Sequence, residues 1–400
     1  MADRPVLLTV GNHTQRSLWA PLSETYRLAF MDGGSQGEAA GAGVADVLGL
    51  AAYADEAVIG QARAVAMIRA NDVLNAIADG LVVDPEVNDL HGAGLAAWAG
   101  PSLYESWAAT AGRISACSML HQKEGVVGVL VHEDVTPMGR VAAQWGNAKG
   151  IPTLHLPHAN HFSRAGTKDI HCSTTAQHLG VAGRYMRGWY SDCGVAEDRM
   201  TTVGMPQWDK YMDHEQMPTK AFARHALGIK DDMYVLTYAT TWYQMTTVWG
   251  NDPEAYLEEC FSRILWTALE LDAFLIVAMH PGETAGQEGH YAQRIKEAGL
   301  HGAVTRTHNA HTMRAADCVV TQGPSNVGVV ASMLGTPVVE LYVPGARYPS
   351  YGPAGTWGEG LAQLIRDAVP NRHFADAMND GLDGKATERA VEWVRALCPV

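Results

Sequence analysis

The sequence predicts an α/β protein of two doubly wound domains, and three observations carry that expectation. The stretch from Ala315 to Glu340 (AADCVVTQGPSNVGVVASMLGTPVVE) reads as a strand, a tight polar turn, a small-residue helix, a glycine turn and a second strand. Gly125 to His132 (GVVGVLVH) is an apolar strand, followed by a helix over 137–149 and a short strand from Thr153 to Leu156. A length of 400 residues, with 47% hydrophobic and 18% charged residues and 41 glycines, suits two compact cores better than one. The strand–helix–strand rhythm implies parallel strands joined by crossover helices.

Each element follows from its local pattern. Val6 to Val10 is a continuous apolar strand that gives way to the polar loop Gly11 to Arg16. Residues 40–120 are alanine-rich and read as several helices with short or weak strands. After Gly204-Met205-Pro206, the polar stretch Asp209 to Lys220 predicts a hinge. The expected domains are therefore 1–206 and 207–386, with a terminal helix over 387–400 packing back on the first. Within the second domain, strands are expected at Tyr234–Tyr238, Phe274–Met279 and 303–305, and helices at Pro253–Leu271 and 288–299. Apolar residues at 390, 391, 394 and 397 give the terminal helix a core-facing stripe.

Composition narrows the function classes. A net charge of −14 argues against broad binding to nucleic acid or anionic membranes, which favours a basic surface. No run approaches the roughly 20 apolar residues that span a bilayer. The start, MADRPVLLTV, lacks the pattern of a signal peptide, so a cytoplasmic location is expected. Six cysteines are scattered without CxxC or zinc-like spacing, and Cys318, inside an apolar strand, is expected as a reduced buried thiol. Neither HExxH nor DxD occurs. The sequence says nothing about oligomeric state.

Ligands of open α/β sheets bind beyond the carboxyl ends of the strands, so a ligand is expected between the two domains. The 322–326 turn opens onto a helix N-terminus, where free N–H groups and the helix dipole make an anion seat. Gly323, Ser325 and Asn326 are its expected residues. His280 ends a strand before Pro281-Gly282, and Thr240 and Thr241 offer hydroxyls to phosphate. His155, His158 and His161 place three imidazoles beyond a first-domain strand, and a pKa of about 6.5 suits a general base. A metal held by those three is an alternative reading. Asp134 either orients the base or acceptor or caps the following helix. Arg164, Lys168, Arg184 and Arg187 form one basic concentration, which would favour an anionic acceptor if they converge. Trp189, Trp208, Trp242, Trp249 and Trp357 suit sugar or base stacking, or plain packing.

Five separated segments resemble one superfamily, the GT-B glycosyltransferases, in the branch of CDP-glycerol glycerophosphotransferases and UDP-N-acetylglucosamine 2-epimerases. They are AKGIPTLHLPHANHF (148–162), TTVGMPQWD (201–209), VLTYATTW (235–242), FLIVAMHPG (274–282) and the 317–339 loop and helix. The resemblance implies two facing Rossmann-like domains and a transferase. That enzyme would need no metal and no cofactor beyond a nucleotide-activated donor, a nucleotide sugar or CDP-polyol. It would move a glycosyl or polyol-phosphate group to an acceptor hydroxyl, on a phosphorylated glycan, a polyol-phosphate polymer or nucleic acid. By the same resemblance His158 is the base; from their positions Asp134 is expected as its companion, and His13, His161 and Arg164 are expected to contact the acceptor. Gly323, Ser325, Asn326, His280, Thr240 and Thr241 hold the donor. The acidic residue expected on the nucleotide-loop helix is replaced by Val330, leaving Glu340 as a substitute for ribose. A sugar-nucleotide epimerase ranks lower, because Pro157-His158 stands where its second carboxylate belongs. A non-catalytic sugar- or nucleotide-binding protein is the other alternative.

Overall fold

The computed structural model describes residues 4–11, 15–81, 90–159, 172–213, 215, 217–240, 253–306, 310–322, 325–342, 354–356 and 360–400. The chain divides into two compact units. One comprises Met1–His158, Thr174–Gly180 and Val391–Val400; the other comprises Ala159–Ser173 and Val181–Ala390.

The chain runs β1 (Val6–Val10), α1 (Arg16–Ser23), β2 (Arg27–Phe30), α2 (Gly33–Gly41), β3 (Leu48–Gly49), α3 (Glu56–Leu81) and α4 (Leu90–Glu124). It continues through β4 (Val126–Val131), α5 (Pro137–Ala148), β5 (Thr153–His155), β6 (His178–Val181), α6 (Arg184–Asp192) and β7 (Met200–Thr202). The first sheet has the order β3-β2-β1-β4-β5-β6-β7. From β3 to β6 every neighbouring pair is parallel. All five residues of β1 are buried, because helices cover both faces of such a sheet and its central strands become continuously apolar. Chain order reverses between β1 and β4, the place where open α/β sheets carry their ligands.

The 40–120 segment differs from its expected reading. It holds a two-residue β3 and two helices of 26 and 35 residues, α3 and α4. Alanine and glycine scattered among apolar and polar residues leave little contrast between helix faces, so no helical period marks their extent. By contrast, α5 carries its own start signals. Thr136 caps it by accepting from the Gly139 N–H, and Pro137 occupies the first turn.

The second unit continues with α7 (Lys220–Ala226), β8 (Tyr234–Ala239), α8 (Pro253–Glu270), β9 (Ala273–Ala278), α9 (Ala285–Glu297), β10 (Gly302–Thr305) and α10 (Ala310–Ala315). There follow β11 (Cys318–Gln322), α11 (Asn326–Met333), β12 (Val338–Tyr342), β13 (Ala354–Thr356), α12 (Leu361–Asp367), α13 (Arg372–Met378) and α14 (Ala386–Leu397). Its sheet has the order β10-β9-β8-β11-β12-β13, parallel throughout. The core joins Leu236, Tyr238, Phe261, Ile264, Leu275, Val277, Val320 and Val339. Burying a large apolar side chain of this kind contributes about 1.5–3 kcal/mol. Here the reversal falls between β8 and β11.

Asp209, inside the stretch read as a hinge, accepts from the Ala386 and Thr387 N–H groups at 2.9 and 2.7 Å and so caps α14. The far end of α14 belongs to the first unit. There the Tyr26 hydroxyl donates to the Cys398 carbonyl at 2.7 Å. A Cβ on Gly128 would lie 2.2 Å from the Cys398 sulfur, so β4 needs glycine at that point. Cys117, Cys260, Cys318 and Cys398 are free and buried, and burial pushes the Cys318 thiol up to about 12. Cys172 and Cys193 form a disulfide, a pairing that their spacing does not announce. Among the described residues, no helix is long and apolar enough to cross a membrane.

Candidate active site

The carboxyl edge of the first sheet gathers ionisable groups. Beyond β4 come His132, Glu133 and Asp134; β5 ends at His155, with His158 three residues on. Glu133, Asp134 and His155 are 4%, 0% and 1% exposed, whereas His158 keeps 40% of its side chain open. Nδ1 of His158 lies 3.2 Å from Glu133 Oε2. His155 sits between the two carboxylates, with Nε2 at 3.8 Å from Glu133 Oε1 and Nδ1 at 3.5 Å from Asp134 Oδ1. The other Asp134 oxygen accepts from the Thr175 and Ala176 N–H groups at 2.6 and 3.0 Å.

Local chain chemistry fixes this edge. The Thr136 hydroxyl donates to the Glu133 carbonyl at 3.0 Å. A Cβ on Gly139 would stand 1.8 Å from that same carbonyl, so glycine there lets the α5 start approach the Glu133 turn. Gln15 is buried, and its Nε2 donates to the Leu156 carbonyl at 3.1 Å, tying the loop after β1 to the loop after β5. His132 donates from Nδ1 to the Val10 carbonyl at 2.7 Å, since a carbonyl can only accept. Burial lowers its pKa, which favours a neutral ring, 5.9 Å from that of His158.

Glu133, Asp134 and His155 have one donor atom each within a 4.8 Å span, room for a single cation. Yet the closest approaches use different ring nitrogens of His155 for the two carboxylates. A metal is bound through one nitrogen. These contacts place the His155 ring between the two carboxylates.

The second sheet's edge is built differently. Ser325 caps α11 by accepting from the Val327 N–H at 3.3 Å, and Asn326 opens the helix. Thr240 follows β8. Expected to present its hydroxyl to phosphate, it donates that hydroxyl to Glu283 instead, and its oxygen accepts the His280 N–H at 2.8 Å. Glu283 also accepts from the His280 N–H at 2.8 Å and from the Tyr291 hydroxyl at 2.8 Å. Burial raises the Glu283 pKa, and the hydroxyls of Thr240 and Tyr291 oppose the rise. Nδ1 of His280 accepts from the Gly282 N–H at 3.0 Å. Burial lowers that ring's pKa, so the neutral tautomer carries its proton on Nε2 and can donate it to an anion.

Of the other expected residues, Glu340 is buried within β12, opposite Thr321 of β11. Val330 is buried too. Asp134 is neither the cap of α5, which is Thr136, nor the carboxylate beside His158, which is Glu133. Arg184 pairs with Asp376 and Arg187 with Glu197, so neither is a bare cation. Trp189 and Trp208 are buried packing residues. His13, His161, Arg164, Lys168, Thr241, Trp242, Trp249, Gly323 and Trp357 lie outside the described residues. Sequence reasoning passed over Glu133, Gln15, Glu283 and Tyr291. Only Glu133 and Glu283 gave a signal, each a carboxylate within three residues of a strand-end histidine.

The sequence model of the CDP-glycerol:poly(glycerophosphate) glycerophosphotransferase family matches residues 123–322, half of the chain. No curated protein sequence matches significantly. Among solved structures, a UDP-GlcNAc 2-epimerase from Neisseria meningitidis is similar, with TM-score 0.57 and 14% identity over 98% of this chain and 100% of that one. A glycosyltransferase from Rickettsia africae gives 0.55 and 9% over 99% of each. The wall teichoic acid polymerase TagF gives 0.50 and 13% over 98% of this chain and 88% of that one. Identities this low speak for the fold alone, two parallel-sheet domains of the GT-B kind, as the separated motifs implied. The family match runs from β4 through β11 and so includes the strands that carry both edges; this nucleotide-donor transferase belongs to the CDP-glycerol:poly(glycerophosphate) glycerophosphotransferase family.

Proposed function

We propose that the chain transfers glycerol phosphate from CDP-glycerol to a hydroxyl at the end of a polyol-phosphate acceptor. The observation that carries this reading is the half-open imidazole of His158, backed by buried Glu133 at 3.2 Å, inside the segment matched by the family. His158 takes the acceptor proton on Nε2 as the acceptor oxygen attacks the donor's β-phosphorus. A new O–P bond forms, the bond between that phosphorus and the bridging oxygen breaks, and CMP leaves with the electron pair. At the second sheet's edge, the α11 N-terminus and the Nε2–H of His280 stabilise the diphosphate charge.

The test is to incubate the purified chain with CDP-glycerol and a short synthetic glycerol-phosphate oligomer and to follow CMP release and oligomer extension. CDP-glycerol should be used and UDP-, GDP- and ADP-activated compounds should not. Turnover of UDP-N-acetylglucosamine with none of CDP-glycerol would overturn the reading in favour of an epimerase. Failure of every nucleotide to raise the melting temperature would favour a protein that binds neither.

A further inference from the structure

We propose that Glu133 is the positioning residue that sets the tautomer of His158, and that His155 and Asp134 brace it through a buried chain of alternating imidazoles and carboxylates. The inference deepens the proposed function and rests on its reading of His158 as the base. It makes Glu133, rather than the expected Asp134, the carboxylate on which catalysis depends.

Geometry supplies the argument. The chain runs from His158 Nδ1 to Glu133 (3.2 Å), from Glu133 to His155 Nε2 (3.8 Å) and from His155 Nδ1 to Asp134 (3.5 Å). It ends on the Thr175 and Ala176 N–H groups. Adjacent carboxylates with almost no exposure to water are costly unless each has a partner that offers a proton or a positive charge. A ring between them with one nitrogen facing each is placed to serve both. These are close approaches between charge-bearing atoms rather than aligned hydrogen bonds, at His158 Nδ1 and Glu133 as much as at His155, so the place of the His155 ring is fixed by burial and by the carboxylates on either side. Asp134 cannot turn, because its second oxygen is held by two main-chain donors. Glu133 is held at its carbonyl by Thr136 and by the close approach of Gly139.

The consequence falls on His158. A carboxylate only accepts hydrogen bonds, so Glu133, 3.2 Å from Nδ1, favours the proton there and makes Nε2 the nitrogen that accepts a proton from an alcohol. Among the described residues, Glu133 and His132 approach this ring. His132 is tied through Nδ1 to Val10 and does not compete for Glu133. Arg140 approaches from α5 but directs Nε at the Asp134 carbonyl, 3.3 Å away.

The experiment compares wild type with Glu133→Gln, Glu133→Asp, His155→Gln and His158→Ala in the CDP-glycerol assay. It is combined with nitrogen-15 NMR of the His158 ring and with elemental analysis for bound metal. His158→Ala should abolish turnover while CDP affinity stays unchanged. Glu133→Gln should lower kcat by about 10²–10³-fold with both KM values within about threefold, the cost of a wrongly protonated imidazole. The NMR pattern should change from a ring protonated on Nδ1 to a mixture of tautomers. Glu133→Asp should recover part of kcat, and His155→Gln should lose less than Glu133→Gln. Circular dichroism melts check folding, and the wild-type NMR pattern tests the idea without any variant.

An active His158→Ala enzyme would remove the base itself, and with it the proposed function. An inactive His158→Ala beside a Glu133→Gln enzyme of near-normal kcat would leave the base standing and overturn the positioning role. So would a wild-type His158 protonated on Nε2. One divalent metal per chain, lost in His155→Gln, would replace the bridge with a metal site.

Discussion

The two sheet edges share a topology and differ in chemistry. Each lies where strand order reverses, between β1 and β4 in one sheet and between β8 and β11 in the other. The first edge concentrates groups that can change charge: His132, Glu133, Asp134, His155 and His158. The second offers mainly hydroxyls, main-chain N–H groups and a histidine that burial keeps towards neutrality. Its carboxylate, Glu283, is engaged by three donors and pushed by burial towards the protonated form. Moving a proton requires titrating groups, whereas seating a diphosphate requires fixed donors without a nearby negative charge. One architecture thus presents two kinds of chemistry, and the residues beyond the strand ends decide which.

The largest effect that tests this division comes from crossing the two edges. His158→Ala should abolish measurable turnover without changing CDP affinity, measured by calorimetry. Ser325→Ala should do the reverse. It weakens CDP binding severalfold and costs the helix cap about 1 kcal/mol, while saturating donor restores turnover. If both variants damaged affinity and turnover alike, the edges would not have separate tasks.

A smaller, structural effect is expected at Gly139. Alanine there would drive its Cβ into the Glu133 carbonyl, costing roughly 1–3 kcal/mol as overpacking does. Because the strain falls on the Glu133 turn, kcat should drop in the surviving folded enzyme. Gly188, exposed on α6 with open space at its Cβ position, is the control. Equal losses of melting temperature in Gly139→Ala and Gly188→Ala would contradict the close approach. At the second edge, Tyr291→Phe removes one donor to Glu283 and should cost about 1 kcal/mol in urea denaturation.

The sequence made the fold legible wherever two signals coincided. β4, α5 and β5 each had an apolar run bounded by glycine or proline, and β11, α11 and β12 repeated that pattern. α3 and α4 had one signal, alanine content, which favours helix without saying where it starts or stops. β2 is only four residues long, too short for alternation to emerge. At the candidate site, His158 and Ser325 were legible because strand-end histidines and cap serines act through neighbours close in sequence. Glu283 was not, since its partner Thr240 lies 43 residues away. Nor was the exchange of roles between Glu133 and Asp134. Adjacent carboxylates look interchangeable until the fold supplies Thr175 and Ala176 to hold one of them.

The smallest expected effect uses the two buried-side histidines to compare the edges by pH. Burial lowers the pKa of both His132 and His280. For such a group the unfolded chain binds the proton more readily than the folded one. Stability is therefore fully present above the unfolded value of about 6.5 and is lost as pH falls through the folded value. His132→Asn keeps a donor for the Val10 carbonyl but no titrating ring, so its melting temperature should decline less than that of wild type between pH 7.5 and pH 5. His280→Asn should flatten the curve similarly and, if the proposed function holds, should also weaken CDP binding, because it loses the ring N–H that the proposal gives to the diphosphate. Parallel curves for wild type and His132→Asn would mean that this ring takes up its proton in the folded protein as easily as in the unfolded chain. The first edge would then be wetter than its burial suggests.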